Sequence, residues 1–160
     1  MAEMFLKLEG IDGESLDSAH SGEIEIKSWG WVGTNDIRWD INQGGQSTKV
    51  KHENLTIEKV CDKASVTLHQ ACVTGKHIKN GTITCRKNDG DQKVEYLVIK
   101  LKDIMVGRME WAGEGESQSL KEIVHLAFAE YRMEYKLQND TGDAGGYKSF
   151  QFNIQKQQGS

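Results

Sequence analysis

Short runs in which apolar and polar residues alternate recur along this chain, and glycine rather than proline separates them. The sequence contains 17 glycines and no proline. The alternating runs are Phe5–Glu9, Glu23–Lys27, Asn54–Glu58, Thr82–Arg86 and Ser149–Ile154. A period of two places apolar side chains on one face of an extended segment and polar side chains on the other. The pattern therefore predicts a mainly β protein built from many short strands.

One central strand and one helix add detail to this prediction. Val94–Leu101 is apolar on both faces near its middle, which is typical of a strand covered on both sides. A short helix is predicted to begin with Ser65 as its N-cap, because Leu68 and Ala71 share a helical face. Gly75 can adopt the left-handed conformation that ends it. We expect this helix to plug or flank the sheet.

The segment 120–135 fits two patterns. Its apolar residues match helical spacing, and Ser119 with Glu122 forms a candidate capping box, so the pattern alone favours a helix. The alternative is a bent strand with a bulge near Ala129. In that strand the apolar residues divide between two faces, Val124, Leu126 and Phe128 before the bulge and Tyr131, Met133 and Tyr135 after it.

Composition and charge exclude several classes of function. A chain of 160 residues fits one domain, which we place at 1–154 with a flexible tail at 155–160. The net charge of -4 and the interspersed lysines provide no basic stripe, so nucleic acid is not an expected partner. No run approaches the roughly 20 apolar residues of a membrane span, and the first residues do not form a secretory signal. We expect synthesis in the cytosol, no membrane insertion and reduced cysteines.

Candidate catalytic and ligand-binding motifs are incomplete. Gly75-Lys76 lacks the earlier glycine and the following Ser or Thr of a phosphate-binding loop. The segment 115–119 lacks the second glycine of a nucleophile elbow. The metal-capable side chains match no common zinc spacing: Cys61, His69, Cys72 and His77. The segment 139–146 misses the calcium-loop pattern and is interpreted as a hairpin loop. We expect no catalytic residue, no metal and no cofactor.

Several segments together resemble the haemolysin-coregulated protein (Hcp) family of the type VI secretion system. No single one is specific, but their order and spacing are. They span nearly the whole chain: Met4–Ser15, His20–Trp31, Lys59–Ser65, Ala71–His77 and Val94–Ile99. The resemblance implies a small β-barrel of two antiparallel sheets flanked by one short α-helix. It also implies a strand rather than a helix for 120–135.

The function implied by the resemblance is structural rather than enzymatic. Members of the family form hexameric rings that stack into the inner tube of the secretion machine and can carry effectors in the lumen. The expected partners are other copies of the chain, the type VI sheath and spike proteins, and secreted effectors. The protein would leave the cell through the type VI system without a signal peptide.

Three sets of residues are candidates for these contacts. Trp29 and Trp31 are candidates for the subunit contact or for core packing. By alignment in order with the family, the polar loop 113–119 would face the lumen, and its candidate residues are Glu114, Glu116, Ser117 and Gln118. The long connection 33–46 would meet the neighbouring ring through an apolar edge formed by Ile37, Trp39 and Ile41. In the alternative, Trp39 folds back as a lid on its own barrel.

Two other functions remain open at the level of sequence. A monomeric β-barrel could bind a small ligand inside. A thiol enzyme could use one of Cys61, Cys72 or Cys85, which would require an accessible thiolate of low pKa.

Overall fold

A computed structural model describes residues 3–47, 49–138 and 144–160. Its single helix within these ranges, α1, spans Ala64–Thr74. The strands of the same ranges, numbered β1 to β13 in chain order, are Glu3–Leu8, Ile24–Glu25, Ser28–Gly30, Gly33–Thr34, Ile37–Asp40, Gly44–Ser47, Lys51–His52, Leu55–Val60, His77–Asp89, Gln92–Ala112, Lys121–Gln138, Ala144–Asn153 and Gln158–Gly159. The prediction of a mainly β protein with one short helix is confirmed.

One branched antiparallel sheet of nine strands forms most of the molecule. Its main order is β13-β12-β11-β10-β9-β1-β2, and β8 joins β11 and carries β3 on its other side. We predicted two sheets closed into a barrel. Instead, the long strand β11 belongs to both layers. Its first part pairs with β8 and its second part with β12, while residues 121–135 pair with β10 on the other side. The hydrogen-bonded order does not close on itself.

The segment 120–135 is a strand, as the resemblance implied, and it bends where the alternation changes. Val124 and Leu126 are buried before Ala129, and Tyr131 is buried after it, so the inward-facing parity switches at that point. Opposite Ala129, the neighbouring strand β10 holds Asp103 at a positive φ of 53°. The helical pattern at 120–135 is therefore produced by a bent strand that changes faces.

The strand predicted to be central is central. Val94–Leu101 lies within β10, between β9 and β11. The parity change between Ile26 and Trp29 arises from a switch of partner. The Ile26 N–H bonds the Met4 carbonyl of β1, whereas the Lys27 N–H bonds the Glu58 carbonyl of β8.

The helix α1 begins one residue earlier than its predicted cap. Ser65 lies inside the first turn rather than at the N-cap, which is Lys63. The Asp62 carboxylate accepts the Ala64 N–H at 2.9 Å, and the Ser65 hydroxyl accepts the Asp62 N–H at 2.9 Å, so these two side chains cap the helix reciprocally. Gly75 ends the helix at φ 66°, as predicted.

The core lies between the two layers of the sheet and under α1. It consists of aliphatic side chains that are almost fully buried, among them Leu6, Leu55, Leu68, Ile83, Ile99 and Leu126. At the carboxyl end, β13 pairs with Phe152 and Asn153 of β12, within the segment predicted as a tail. Residues 139–143 of the predicted hairpin loop lie outside the described residues. Within the described ranges, no helix is long and apolar enough to cross a membrane.

Candidate assembly surfaces

The connection between β4 and β7 forms a separate hairpin, which we call the arm and define as residues 37–47. Among the described strands, β5 and β6 pair with each other and with no third strand, in the register Ile37↔Ser47 to Asp40↔Gly44. Trp39 is 81% exposed, Ile37 is 56% exposed and Ile41 is fully exposed. The arm therefore presents an apolar edge to solvent, and Trp39 does not form a lid on the core of its own subunit.

The arm is held in shape by local contacts. A β-carbon added to Gly45 would lie 2.9 Å from the Trp39 ring, so the indole lies directly on its cross-strand partner. The Asp40 carboxylate accepts the Asn42 N–H at 2.9 Å in the turn. Because an isolated two-stranded hairpin is only marginally stable in water, an exposed apolar arm of this kind is typical of a segment that docks on another surface.

Trp29 and Trp31 pack within the subunit and are each half-buried. The Trp29 indole N–H donates to the Cys85 sulfur at 3.3 Å. The Trp31 indole N–H donates to the Glu53 carbonyl at 3.0 Å, and its ring meets Tyr131 edge-on at 4.7 Å between centroids. Core packing accounts for both residues, and a contribution to a subunit contact stays a prediction.

His52 lies in the aromatic cluster around Trp31 at the base of the arm. Its Nε2 is 3.0 Å from the Tyr131 hydroxyl, and its ring stacks on Trp31 at 5.6 Å. Burial lowers the pKa of His52, because the apolar surroundings disfavour the charged imidazolium. Its Nδ1 has no hydrogen-bond partner among the described residues. The His52 ring therefore packs where the arm joins the body of the subunit, between Trp31 and Tyr131.

The polar loop 113–119 connects β10 to β11 and is exposed throughout. All four candidate residues, Glu114, Glu116, Ser117 and Gln118, face solvent in the subunit. The loop is shaped by a tight turn in which the Ser117 N–H bonds the Glu114 carbonyl and the Ser117 hydroxyl donates to the Ser119 carbonyl at 2.9 Å. The loop joins the ends of β10 and β11 that lie beside Val60, the last residue of β8. The arm lies at the other end of β8, before Leu55.

A buried ion pair between β8 and β11 was missed by the sequence reasoning. Lys59 and Glu122 are both 0% exposed, and the ammonium lies 3.1 Å from the Glu122 carboxylate and 2.8 Å from that of Asp62. The Ser65 hydroxyl of α1 also donates to the Glu122 carboxylate of β11, so this hydrogen bond connects the helix to the sheet. Parity was the available signal, because Lys59 has the same parity as Leu55 and Ile57.

A second charged cluster fixes the loop 10–23. The Arg86 guanidinium donates to both Glu3 and Asp17. These hydrogen bonds to Arg86 lower the pKa of Glu3 and of Asp17. His20 stacks on Phe5 at 4.4 Å, so the loop is attached by several independent contacts.

The contacts of the three thiols give no support to a thiol enzyme. Cys61 is exposed, Cys72 is half-buried and Cys85 is buried. Burial raises the pKa of the Cys85 thiol, which disfavours the thiolate that nucleophilic chemistry requires. In the described part of the chain, none of the three sulfurs hydrogen-bonds a histidine.

The space between the layers and the groupings of metal-capable side chains bear on the ligand-binding alternatives. Packed aliphatic side chains fill the space between the layers. A groove of about 560 Å³ is lined by the charged residues Glu3, Asp17, Glu25 and Lys27 as well as by apolar ones. No group of three or more His, Cys, Asp or Glu side chains is placed to hold a metal ion in the ranges described above.

Comparison with known proteins points to one family. Residues 5–135 match the family described as "Type VI secretion system effector, Hcp". The chain is 34% identical over 155 residues to "Protein hcp1" of Pseudomonas aeruginosa, covering 96% of each chain. Among solved structures it resembles "Structure of a type six secretion system protein" with a TM-score of 0.93, 26% identity and full coverage of both chains. It also resembles "crystal structure of Hcp1 from Salmonella typhimurium" with a TM-score of 0.83, 30% identity and 99% coverage of each chain.

Proposed function

This chain belongs to the Hcp family of type VI secretion system proteins, and from that premise we propose that it is a structural subunit of the secretion tube. Copies of the chain associate into hexameric rings, and the rings stack into a conduit inside the contractile sheath, behind the spike. The protein leaves the cell with the tube it forms. It performs no catalysis and requires no cofactor in this role.

The exposed arm is the observation that carries the proposal. A Trp side chain can bury on the order of 200 Å². Covering half of the exposed part of Trp39 removes roughly 80 Å² from water, and at about 25 cal/mol per Å² this stabilises a contact by about 2 kcal/mol per subunit. A ring would make the same contact once per subunit, so a weak contact becomes a strong one by repetition.

Ring closure provides a finite assembly. A contact between two different surfaces of the same chain either closes into a ring or continues as a filament. The proposed assembly uses both outcomes, a closed contact around the ring and an open contact along the tube. Trp29 and Trp31 remain candidates for residues that support the closed contact.

Mass and microscopy test the ring. Light scattering of the purified protein at micromolar concentration is expected to give a hexamer of the 18.0 kDa chain, and negative-stain images are expected to show six-fold annuli. A single 18.0 kDa species over this concentration range would refute the proposed function.

Replacement of the apolar edge tests the role of the arm. The triple variant Ile37→Ser, Trp39→Ser and Ile41→Ser should retain hexamers by size-exclusion chromatography but lose tubes and secretion. The three side chains are already exposed in the subunit, so the melting temperature of the fold should change little. Loss of the hexamer, or normal tubes, would mean that the stacking surface lies elsewhere.

We propose in addition that the loop 113–119 contacts effectors in the channel. Its exposed small and polar side chains suit loose, non-covalent binding, and six copies would encircle the channel at one end of each ring. Ser117→Trp should leave rings intact, because this side chain contacts only its own turn, but should reduce retention of a co-expressed effector. The matched variant Ser149→Trp, at an exposed position on β12, should not affect retention. Equal retention by both variants would discard this role.

A further inference from the structure

The loop 10–23 covers an aromatic side chain that points away from the main core. Phe5 has the parity of Lys7 on β1, and it lies outside the hydrophobic cluster that fills the space between the layers in the described ranges. It is buried nonetheless, because the His20 ring stacks on it at 4.4 Å between centroids and the Arg86 guanidinium carbon lies 5.0 Å from its centre. The loop therefore forms a small second core on the outer face of β1.

The His20 ring meets a carboxylate on each side. Its Nδ1 lies 2.6 Å from a Glu23 oxygen in the same loop, and its Nε2 lies 2.8 Å from a Glu95 oxygen on β10. A neutral imidazole has one N–H donor and one acceptor nitrogen, whereas an ionised carboxylate only accepts. His20 is 6% exposed, so little water is available to replace a lost contact. Both contacts are hydrogen bonds to ionised carboxylates only when both ring nitrogens carry a proton.

His20 supplies the only positive charge that Glu23 and Glu95 contact in the described part of the chain. The other charged groups that face this cluster come from the loop, β1, β9 and β10, and they pair with one another: Glu3, Asp17, Arg86 and Lys93. With a neutral His20, the whole cluster holds four carboxylates and two cations. A protonated His20 raises the cations to three and places the added charge between the two carboxylates that otherwise lack one.

The tip of the loop, which we define as residues 16–21, is attached to the sheet by side chains. Backbone hydrogen bonds close the base of the loop, where the Gly13 N–H donates to the Gly22 carbonyl at 2.8 Å. At the tip, the ion pair described above holds β9, and the hydrogen bond from His20 to Glu95 reaches β10 across 75 residues of sequence. Loss of the bond to β10 therefore releases the tip from one strand while the base stays closed.

We propose that His20 is a pH-sensitive switch for the tip. With both nitrogens protonated, the ring joins the tip to β10 and covers Phe5. When the pH rises and one proton is lost, a ring nitrogen without hydrogen faces a carboxylate and the tip opens. The proton is bound in the closed form and released in the open form, so closure is favoured at lower pH and lost as the pH rises. The switch is a property of one subunit and does not depend on the proposed assembly.

Opening of the tip changes the groove beside it. The groove of about 560 Å³ is lined by Leu16 and Asp17 of the tip and by Phe5, which His20 covers. Leu16 is 95% exposed. The proton on His20 therefore controls the shape of this groove and the position of an exposed apolar side chain.

Hydrogen exchange detected by mass spectrometry measures the tip in the intact, assembled protein. The Ala19 and His20 amides are protected in the closed form, because they donate to Asp17. After correction for the intrinsic exchange rate at each pH, their protection should fall as the pH rises from about 6 to about 9, by up to about tenfold per pH unit for the release of one proton. A peptide from β10 within 97–105 should show no such fall. Constant protection of the tip over this range would overturn the inference.

Three variants separate the effect of the proton from that of packing. His20→Gln keeps a polar side chain that carries no titrating proton, so protection of its tip should no longer depend on pH in this range. His69→Gln, at a ring that contacts Trp111 outside the loop, is the matched control and should keep the wild-type profile. Glu95→Gln removes one of the two carboxylates, so its tip should open at a lower pH than that of the wild type.

Two outcomes of the variants contradict the switch. The same fall in protection in His20→Gln and in the wild type would assign the pH dependence to another group. A Glu95→Gln profile identical to that of the wild type would show that the bond to β10 does not hold the tip, and this variant decides the question if His20→Gln does not fold.

Discussion

Removal of the buried Lys59 ammonium should destabilise the fold strongly. In the native state the three N–H groups of the ammonium are shared among four acceptors within 3.2 Å, which are the Val60 carbonyl, the Asp62 carboxylate, the Ser65 hydroxyl and the Glu122 carboxylate. The Lys59→Met variant leaves Glu122 fully buried with the Ser65 hydroxyl as its remaining described donor. Leaving one charge of a buried pair without its partner typically costs about 3–5 kcal/mol.

This loss is large compared with the total stability of a domain, which is roughly 5–15 kcal/mol. For a chain of this length each kcal/mol lowers the melting temperature by about 2–4 °C, so a decrease of roughly 6–20 °C is expected. The measurements are thermal melting for the temperature and denaturant titration for the free energy, both followed by circular dichroism. The protein concentration is fixed because assembly stabilises the folded state.

The double variant Lys59→Met with Glu122→Leu separates the unpaired charge from lost packing. It removes both charges and restores apolar contacts, so its free energy of unfolding should return to within about 2 kcal/mol of the wild-type value. Lys121→Met is a control at an exposed position, where the Lys121 ammonium is 3.3 Å from Glu58, and it should cost less than about 1 kcal/mol. If the single and double variants were equally destabilised, the reasoning from an unpaired buried charge would be wrong.

Three further predictions concern the loop 10–23 and the aromatic cluster. Gly13→Ala should lower the free energy of unfolding by about 1–3 kcal/mol, because a β-carbon would lie 2.6 Å from the Ile24 Cα. Denaturant titration measures this loss, and the control Gly115→Ala should be neutral because the space around Gly115 is open. Arg86 lowers the folded-state pKa of Asp17, so the unfolded chain binds more protons than the folded one near pH 4. The stability of the wild-type protein should therefore fall as the pH decreases below about 4, and melts at several pH values should show a shallower fall for Arg86→Met. Trp31→Ala should lower the free energy of unfolding by about 2 kcal/mol, because Trp31 packs within its own subunit. An unchanged melting curve together with weakened rings would instead assign Trp31 to the subunit contact.

Much of the local structure could be predicted from the sequence, because it depends on side-chain alternation and on single residues. The alternating runs form strands in the described structure, and Gly75 ends the helix in the left-handed conformation. The strand of the arm at Ile37–Asp40 could be predicted as extended, because the alternation of Ile37 and Trp39 with polar residues has the period of a β-strand. The start of α1 could not be located as well, because the capping residues Asp62 and Ser65 act together.

The segment 120–135 shows where local pattern is insufficient. Its apolar residues satisfy helical spacing, yet it forms β11 because both edges of its backbone have partners, β10 on one side and first β8 and then β12 on the other. The bend at Ala129 reverses which parity faces inward, and a strand that changes faces produces apolar positions close to those of a helix. Hydrogen bonds to distant strands outweigh the local preference, since intrinsic propensities differ by less than about 1 kcal/mol per residue.

The buried ion pair and the packing of α1 on the sheet depend on the same distinction. Residue types identify Lys59 and Glu122 as charged and Val66 and Trp111 as apolar, and parity places Lys59 on the inner face. Only the pairing of β8 with β11 brings Lys59 and Glu122 together across 63 residues of sequence. Only the packing of α1 on β10 brings the His69 ring against Trp111 while Val66 and Val73 stay exposed. These contacts are formed between segments far apart in the chain, and their energies depend on burial and distance in the folded subunit, which residue order does not contain.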